Sequence, residues 1–112
     1  MTGSRPAPFS IAVDEQPDRA VIAAAGELDL ATAPQLEEAL LPRLRGGGRV
    51  VLDLTALEFM DSTGVQVIIA AHHAGQEHDG GLALVRTPPD SAVARVLEIS
   101  GLDTMLDIID AP

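Results

Sequence analysis

A short stretch in the middle of the chain, residues 50–54, is apolar on both faces and constrains the possible folds most. It reads Val-Val-Leu-Asp-Leu, which is typical of a central strand covered by helices. Before it, Leu36, Leu40 and Leu44 recur at every fourth position, as on one face of a helix. Residues 62–76 after it show a second helical pattern. Strands that alternate with helices predict an α/β domain with a mixed or parallel sheet.

The flanking segments extend this alternation towards both ends of the chain. Residues 9–14 alternate between apolar and polar positions, and the apolar run 20–25 follows as the second strand of a hairpin. A third helix is expected from Pro88–Ser91 to a left-handed glycine cap at Gly101, between strands at 82–85 and 105–109. The predicted order is β-β-α-β-α-β-α-β, with about four to five strands in one mixed sheet and helices packed on it. Residues 9–110 form the domain, and residues 1–8 a short disordered tail.

Several local features carry their own expectations. Thr32 and Gln35 have the spacing of a capping box, with Pro34 in the first turn of the helix. Pro42 is expected to end or bend this helix. Segments 27–31 and 55–60 are predicted as loops. The inward face of the second helix is expected to present Val65, Ile68, Ile69 and His72.

The charge balance excludes whole classes of partner. The 112 residues carry 17 acidic and 7 basic side chains, for a net charge of −10. Such a surface repels nucleic-acid phosphates and anionic lipid, so a partner with a basic face is favoured. Only Phe9 and Phe59 are aromatic, which removes base stacking.

Cysteine is absent, so disulfides and thiolate metal sites are excluded. No targeting segment and no run of about 18 apolar residues is present, and a soluble cytoplasmic protein is expected.

The segment Asp61-Ser62-Thr63-Gly64 is the strongest candidate site, because it opens the second helix. From spacing alone, Ser62 or Asp61 is best interpreted as an N-cap, worth about 1 kcal/mol. The alternative is a phosphoacceptor serine. A phosphate at Ser62 adds a charge of about −1.5 to −2 at a helix N-terminus, which favours anions. Asp61, and in space Glu27 and Asp29, would oppose that charge.

Catalytic and metal-binding interpretations are weaker. Ser62 lacks a G-x-S-x-G elbow, and His72 lies more than two helical turns away, out of reach of its hydroxyl. Adjacent His72 and His73 point about 100° apart on a helix, and His78 lies near its end, so no zinc spacing is formed. No catalytic residue, metal site or cofactor is predicted.

Five motifs in order resemble the STAS-domain anti-sigma factor antagonists of bacteria. They are Gly-Glu-Leu-Asp at 26–29, Ala-Pro-Gln-Leu at 33–36, Val-Leu-Asp-Leu at 51–54, Phe-Met-Asp-Ser-Thr-Gly at 59–64 and Ile-Ser-Gly-Leu at 99–102. The resemblance covers the chain from Phe9 to Ile109 and makes phosphorylation of Ser62 the favoured interpretation, with Thr63 as a second choice. Many members carry a further helix after the last strand, for which this sequence has no counterpart.

The resemblance implies a binding module without catalysis of its own. Its partner would be an anti-sigma factor that is also a serine kinase of the histidine-kinase-like ATPase fold. Binding releases a sigma factor, phosphorylation of Ser62 ends binding, and a metal-dependent phosphatase restores it. A STAS scaffold in another signalling assembly is the alternative, and a monomer is expected when the protein is free. The implied partner-facing residues are Glu27, Leu28, Asp29, Asp61, Thr63, Gly64 and Gln66.

Overall fold

A computed structural model describes residues 8–112, so the predicted tail lies outside the described residues except for Pro8. Five strands form one sheet in the order β1-β2-β3-β4-β5. The antiparallel pair β1–β2 is followed by parallel pairs throughout. The elements are β1 (Ser10–Glu15), β2 (Ala20–Leu28), α1 (Ala33–Arg45), β3 (Arg49–Met60), α2 (Ser62–Glu77), β4 (Gly81–Val85), α3 (Ala92–Ser100), α4 (Leu102–Met105) and β5 (Asp107–Ile109).

This architecture confirms the predicted α/β domain, its mixed sheet and the order of its elements, with one addition. Residues 102–105 form the short helix α4, where the start of a strand over 105–109 was predicted. Gly101 adopts the left-handed conformation at φ 80° and ends α3. Leu102, the next residue, is fully buried in the core. Its burial directs the chain into α4 before β5 begins.

The main core lies between the helices and one face of the sheet. Leu36, Leu40 and Leu44 of α1 are fully buried there, as their spacing predicted. Ile22 and Leu52 project from neighbouring strands into the same cluster. The opposite face carries a smaller apolar cluster, Val21, Val51 and Val85, which includes no helical residue among those described. The strand at 50–54 contributes side chains to both clusters, which explains why it is apolar on both faces.

Of the two predicted loops beside this core, 27–31 is wrong in part and 55–60 is wrong throughout. Strand β2 continues to Leu28, and β3 continues through residues 55–60, with Glu27 paired to Phe59 and Leu28 to Met60. Irregularities in the register between Ala23 and Ala25 and between Gly26 and Glu27 shift the pairing. Such a bulge breaks the two-residue alternation that would otherwise reveal a strand.

Helix α1 departs from its prediction at both ends. Thr32 makes no side-chain hydrogen bond to the helix, so the capping box with Gln35 is wrong. Pro42 does not end the helix, which continues to Arg45. The carbonyl that Pro42 leaves without a partner belongs to Glu38, and both residues are exposed, so water can satisfy it.

Helix α2 begins at Ser62 as predicted, but its buried face is different. Of the four predicted residues only Ile68 is fully buried, while Val65 and Ile69 are partly buried and His72 is half-buried. Small side chains dominate the true face and allow close approach to α1 and the sheet. Its buried residues are Gly64, Val67, Ile68, Ala71, Ala74 and Gly75.

Gly64 lies where α2 packs closely on the ends of β2 and β3. A Cβ atom at this position would lie 2.6 Å from Cγ of Met60 and 2.7 Å from Cδ2 of Leu28. Both neighbours are themselves buried, with at most 1% of their surface exposed. Only glycine therefore fits between the first turn of α2 and the ends of β2 and β3.

We predict that Gly64→Ala lowers the free energy of unfolding by about 1–3 kcal/mol, as overpacking of a core does. Gly75→Ala in the same helix is the matched control, because its Cβ would meet Cδ2 of Leu44 at 3.3 Å, a milder contact. In both variants the change from glycine to alanine raises helix propensity by about 1 kcal/mol, which offsets part of the cost of the new contact. Urea unfolding followed by circular dichroism measures both. A Gly64→Ala variant as stable as the wild type would contradict this packing.

Candidate partner-binding site at Ser62

Asp61 connects the start of α2 to the sheet. Its carboxylate oxygen Oδ1 accepts a hydrogen bond from the N–H of Thr63 at 2.9 Å, and so caps the helix. Its own N–H donates to the carbonyl of Leu28 at 3.2 Å. Its carbonyl accepts from the N–H of Val65 at 3.3 Å. The N-cap that the sequence placed at Ser62 or Asp61 is therefore Asp61.

Ser62 is exposed and is the first residue of α2. Its hydroxyl makes no hydrogen bond to any residue within 8–112. Because Asp61 already caps the helix, the hydroxyl of Ser62 is not needed as an N-cap. Thr63 is half-buried, and it lines a groove between α1 and α2. The more accessible of the two hydroxyl groups is that of Ser62.

A tight turn after β2 stands beside this helix start. Oδ1 of Asp29 accepts from the N–H groups of Ala31 and Thr32, at 3.0 and 3.2 Å. The hydroxyl of Thr32 donates to the carbonyl of Glu27 at 2.9 Å and accepts from the N–H of Asp29 at 2.9 Å. These bonds hold the backbone while Leu30 extends outward, 78% exposed. A leucine kept this far from the core by a well-bonded turn is a candidate contact residue.

The groove between the starts of α1 and α2 has a volume of about 230 Å³. Thr63 and Gln66 were predicted to face a partner and lie in it, while Leu30, Pro34 and Glu37 were not predicted. An apolar residue in a turn gives no periodic signal, which is why the sequence did not single out Leu30. The lining residues are Leu30, Ala33, Pro34, Glu37, Thr63, Gln66 and Val67.

Two of the predicted surface residues are not at the surface. Leu28 is fully buried, and Gly64 is buried against it. Because β2 continues through Leu28, the alternation of the strand turns this side chain towards the core. Their placement on a partner-facing surface is therefore wrong, and both position the helix start. Glu27 and Gln66 are exposed, and Asp29, Asp61 and Thr63 are half-buried.

The charges around Ser62 share one sign. Glu27 and Asp29 belong to the adjoining strand end and turn, Asp61 precedes the serine, and Glu37 lines the groove. Among the described residues, no basic side chain and no histidine lines it. The site can therefore accept hydrogen bonds and contact basic side chains of a partner.

Metal-ligand clusters and membrane-spanning helices are both absent from the described residues. Residues 8–112 contain no group of three histidine or carboxylate side chains arranged to hold a metal ion. Within the same range, none of the helices combines the length and the apolar character required to cross a membrane.

Comparison with known proteins places these features in a family. The family model described as "Mlab, STAS domain" matches residues 11–108. An anti-sigma-B factor antagonist of Listeria monocytogenes is 34% identical over 102 residues, 89% of this chain and 88% of that protein. The protein of the same name from Staphylococcus aureus is 32% identical over 84 residues, 74% of this chain and 76% of that protein.

The fold agrees with the sequence comparisons. The crystal structure of an anti-sigma factor antagonist from Mycobacterium paratuberculosis superimposes with a TM-score of 0.81 at 28% identity. It covers 96% of this chain and 91% of the other. The family model, the relatives and the fold that match this chain agree with one another. The chain therefore belongs to the STAS-domain family of anti-sigma factor antagonists.

Proposed function

We propose that this chain is an anti-sigma factor antagonist, a cytoplasmic binding module switched off by phosphorylation of Ser62. In this role it binds an anti-sigma factor and so releases a sigma factor. The observation that carries the switch is the exposed hydroxyl of Ser62, which makes no hydrogen bond within residues 8–112 while Asp61 caps the helix. The relatives named as anti-sigma-B factor antagonists support the binding role.

The binding surface combines one apolar anchor with acidic groups. Leu30 is the exposed anchor at the edge of the groove, and Glu37 and Gln66 lie on its sides. Exposed Glu27 adds negative charge nearby. We propose that the anti-sigma factor presents an apolar side chain to the groove and basic side chains to these carboxylates. The net charge of −10 would steer such a basic face during encounter.

The partner is proposed to be a serine kinase of the histidine-kinase-like ATPase fold, which supplies ATP and Mg²⁺. Ser62 Oγ attacks the γ-phosphorus, the bond to the bridging oxygen of ADP breaks, and the hydroxyl proton leaves to a base on the kinase. A metal-dependent serine phosphatase would later hydrolyse the phosphoserine. The antagonist needs no cofactor and contributes only the acceptor hydroxyl.

Phosphorylation would alter the surface and leave the fold unchanged. The phosphate adds a charge of about −1.5 to −2 and must stay hydrated or paired. The N-terminus of α2 tolerates it, with a helix dipole contribution of about 0.3–1 kcal/mol. Asp61 and Asp29 already make this point negatively charged, and a docked partner would have to accommodate and desolvate the bulky dianion at a close contact. The complex therefore dissociates while the helix stays capped by Asp61.

We predict that binding depends on the charge at position 62. Wild-type, Ser62→Ala and Ser62→Asp proteins serve as baits in lysate of the source organism, and mass spectrometry identifies what each retains. Wild type and Ser62→Ala should retain a small ATPase-fold kinase, and Ser62→Asp should lose it because the added carboxylate would have to be desolvated at the interface. Circular dichroism of all three controls for folding.

Retention of the same large assembly by all three baits would contradict the switch and favour a scaffold role. Retention of no kinase would contradict the proposed partner. A large loss of helical signal in Ser62→Asp would contradict the claim that the added charge leaves the domain folded.

We also predict that Leu30 is an energetic anchor of this interface. Leu30→Ser should weaken binding of the purified anti-sigma factor by about 2 kcal/mol, roughly thirtyfold, as for other hot-spot residues. Ile99→Ser is the matched control, because Ile99 is equally exposed at 77% but lies on α3. Titration calorimetry measures both variants. Equal affinities for Leu30→Ser and Ile99→Ser would show that the groove is not the docking site.

A further inference from the structure

A second and larger groove lies at the other side of the domain. It has a volume of about 650 Å³ and is formed by the end of β4, the helix α3 and the strand β5. It shares no lining residue with the groove beside Ser62. Its accessible apolar side chains include Ile99, which is 77% exposed, and the partly buried Ile108, whereas Leu84 and Leu97 are almost fully buried. The proposed partner switch makes no use of it.

Thr87 is the polar residue set deepest in this groove. Only 8% of its surface is exposed, and it is the one buried polar side chain among the described residues. Its hydroxyl has no hydrogen-bond partner within residues 8–112, yet no side-chain oxygen there is both unpaired and fully enclosed. The hydroxyl of Thr87 is therefore not fully enclosed, and the residue lines the groove. A buried hydroxyl held open in this way is a hydrogen-bonding group for a ligand.

The charged residues of the groove separate by sign along α3. Arg86 and Arg95 lie towards the end where β4 leads into α3, together with Thr87. Glu98 and Asp103 lie towards the end of α3 and the start of α4. Arg95 and Glu98 are three residues apart, about 4.5 Å along the helix axis. The groove thus has a cationic end, an anionic end and an apolar surface.

The arginines of this groove remain available to a ligand. Arg95 forms no ion pair in the described part of the chain. Arg86 pairs through Nε with Oδ1 of Asp110 at 2.9 Å, but its side chain is 63% exposed and its two terminal nitrogens remain free of ion pairs there. A guanidinium that keeps a free edge can hold a carboxylate with two parallel hydrogen bonds.

We propose that this groove binds a small zwitterion with an apolar body, of the class of apolar dipeptides. The carboxylate is held by Arg95, Arg86 and the hydroxyl of Thr87. The ammonium group faces Glu98 and Asp103, and the apolar side chains pack on Ile99 and Ile108. A phosphate ligand fits less well, because two carboxylates line the same groove and the whole chain is acidic.

The dipeptide Leu-Leu is the probe that tests this site. Titrated into the ¹⁵N-labelled full chain, it should produce saturable amide shifts concentrated in residues 84–108. Thr87→Val keeps the shape of the side chain, and Arg95→Gln is an exposed change that does not disturb the core. Each should weaken binding roughly tenfold, as the loss of a hydrogen bond to a charged group does. Ser62→Ala is the control variant and should bind Leu-Leu like the wild type.

Two modified probes separate a zwitterion site from simple apolar binding. N-acetyl-Leu-Leu lacks the ammonium group and Leu-Leu amide lacks the carboxylate, so each should bind roughly tenfold more weakly than Leu-Leu. Equal binding of all three probes would overturn the proposal and show apolar binding alone. Absence of saturable shifts, or unchanged affinity in both Thr87→Val and Arg95→Gln, would overturn it as well. Because Arg95→Gln is exposed, its result holds even if Thr87→Val fails to fold.

Discussion

The close packing of Gly64 on Leu28 and Met60 is the contact on which the arrangement of the site depends. It brings the first turn of α2 against the ends of β2 and β3, where the N–H of Asp61 reaches the carbonyl of Leu28. With the backbone held there, the carboxylate of Asp61 caps the helix. Ser62 then lies at the surface, and its hydroxyl makes no hydrogen bond to the described part of the chain. The exposure of the serine is thus a consequence of a packing contact in the core.

Structural and functional tasks fall on neighbouring residues in this region. Asp61 stabilises the helix, and Ser62 is exposed. A modification that changes the charge of Ser62 therefore need not disturb the cap formed by Asp61. Leu28 and Leu30 show the same division, since the first is fully buried and the second is 78% exposed. The turn held by Asp29 and Thr32 separates them. A switch that acts through surface charge requires such a separation, because a structural serine could not be modified without cost to the fold.

The order of the elements was predictable from the sequence because each depends on local patterns. The leucine spacing of α1, the start of α2 at Ser62 and the left-handed cap at Gly101 are all confirmed. The predictions that failed concern features that depend on the pairing of distant segments. The irregular register of β2 against β3 hid the strand at residues 55–60, and with it the burial of Leu28. Leu30 and the two grooves arise from juxtaposed elements, which no single stretch of sequence displays.

The central claim is that a phosphate at Ser62 ends partner binding without altering the fold. The most direct test is to prepare the chain with phosphoserine at position 62 and to record its amide spectrum and its affinity for the purified anti-sigma factor. We predict a well-dispersed spectrum with shifts confined to residues near Ser62, and affinity weaker by about tenfold or more, as the desolvation of a dianion at a close contact implies. Unchanged affinity, or a general loss of spectral dispersion, would contradict the account.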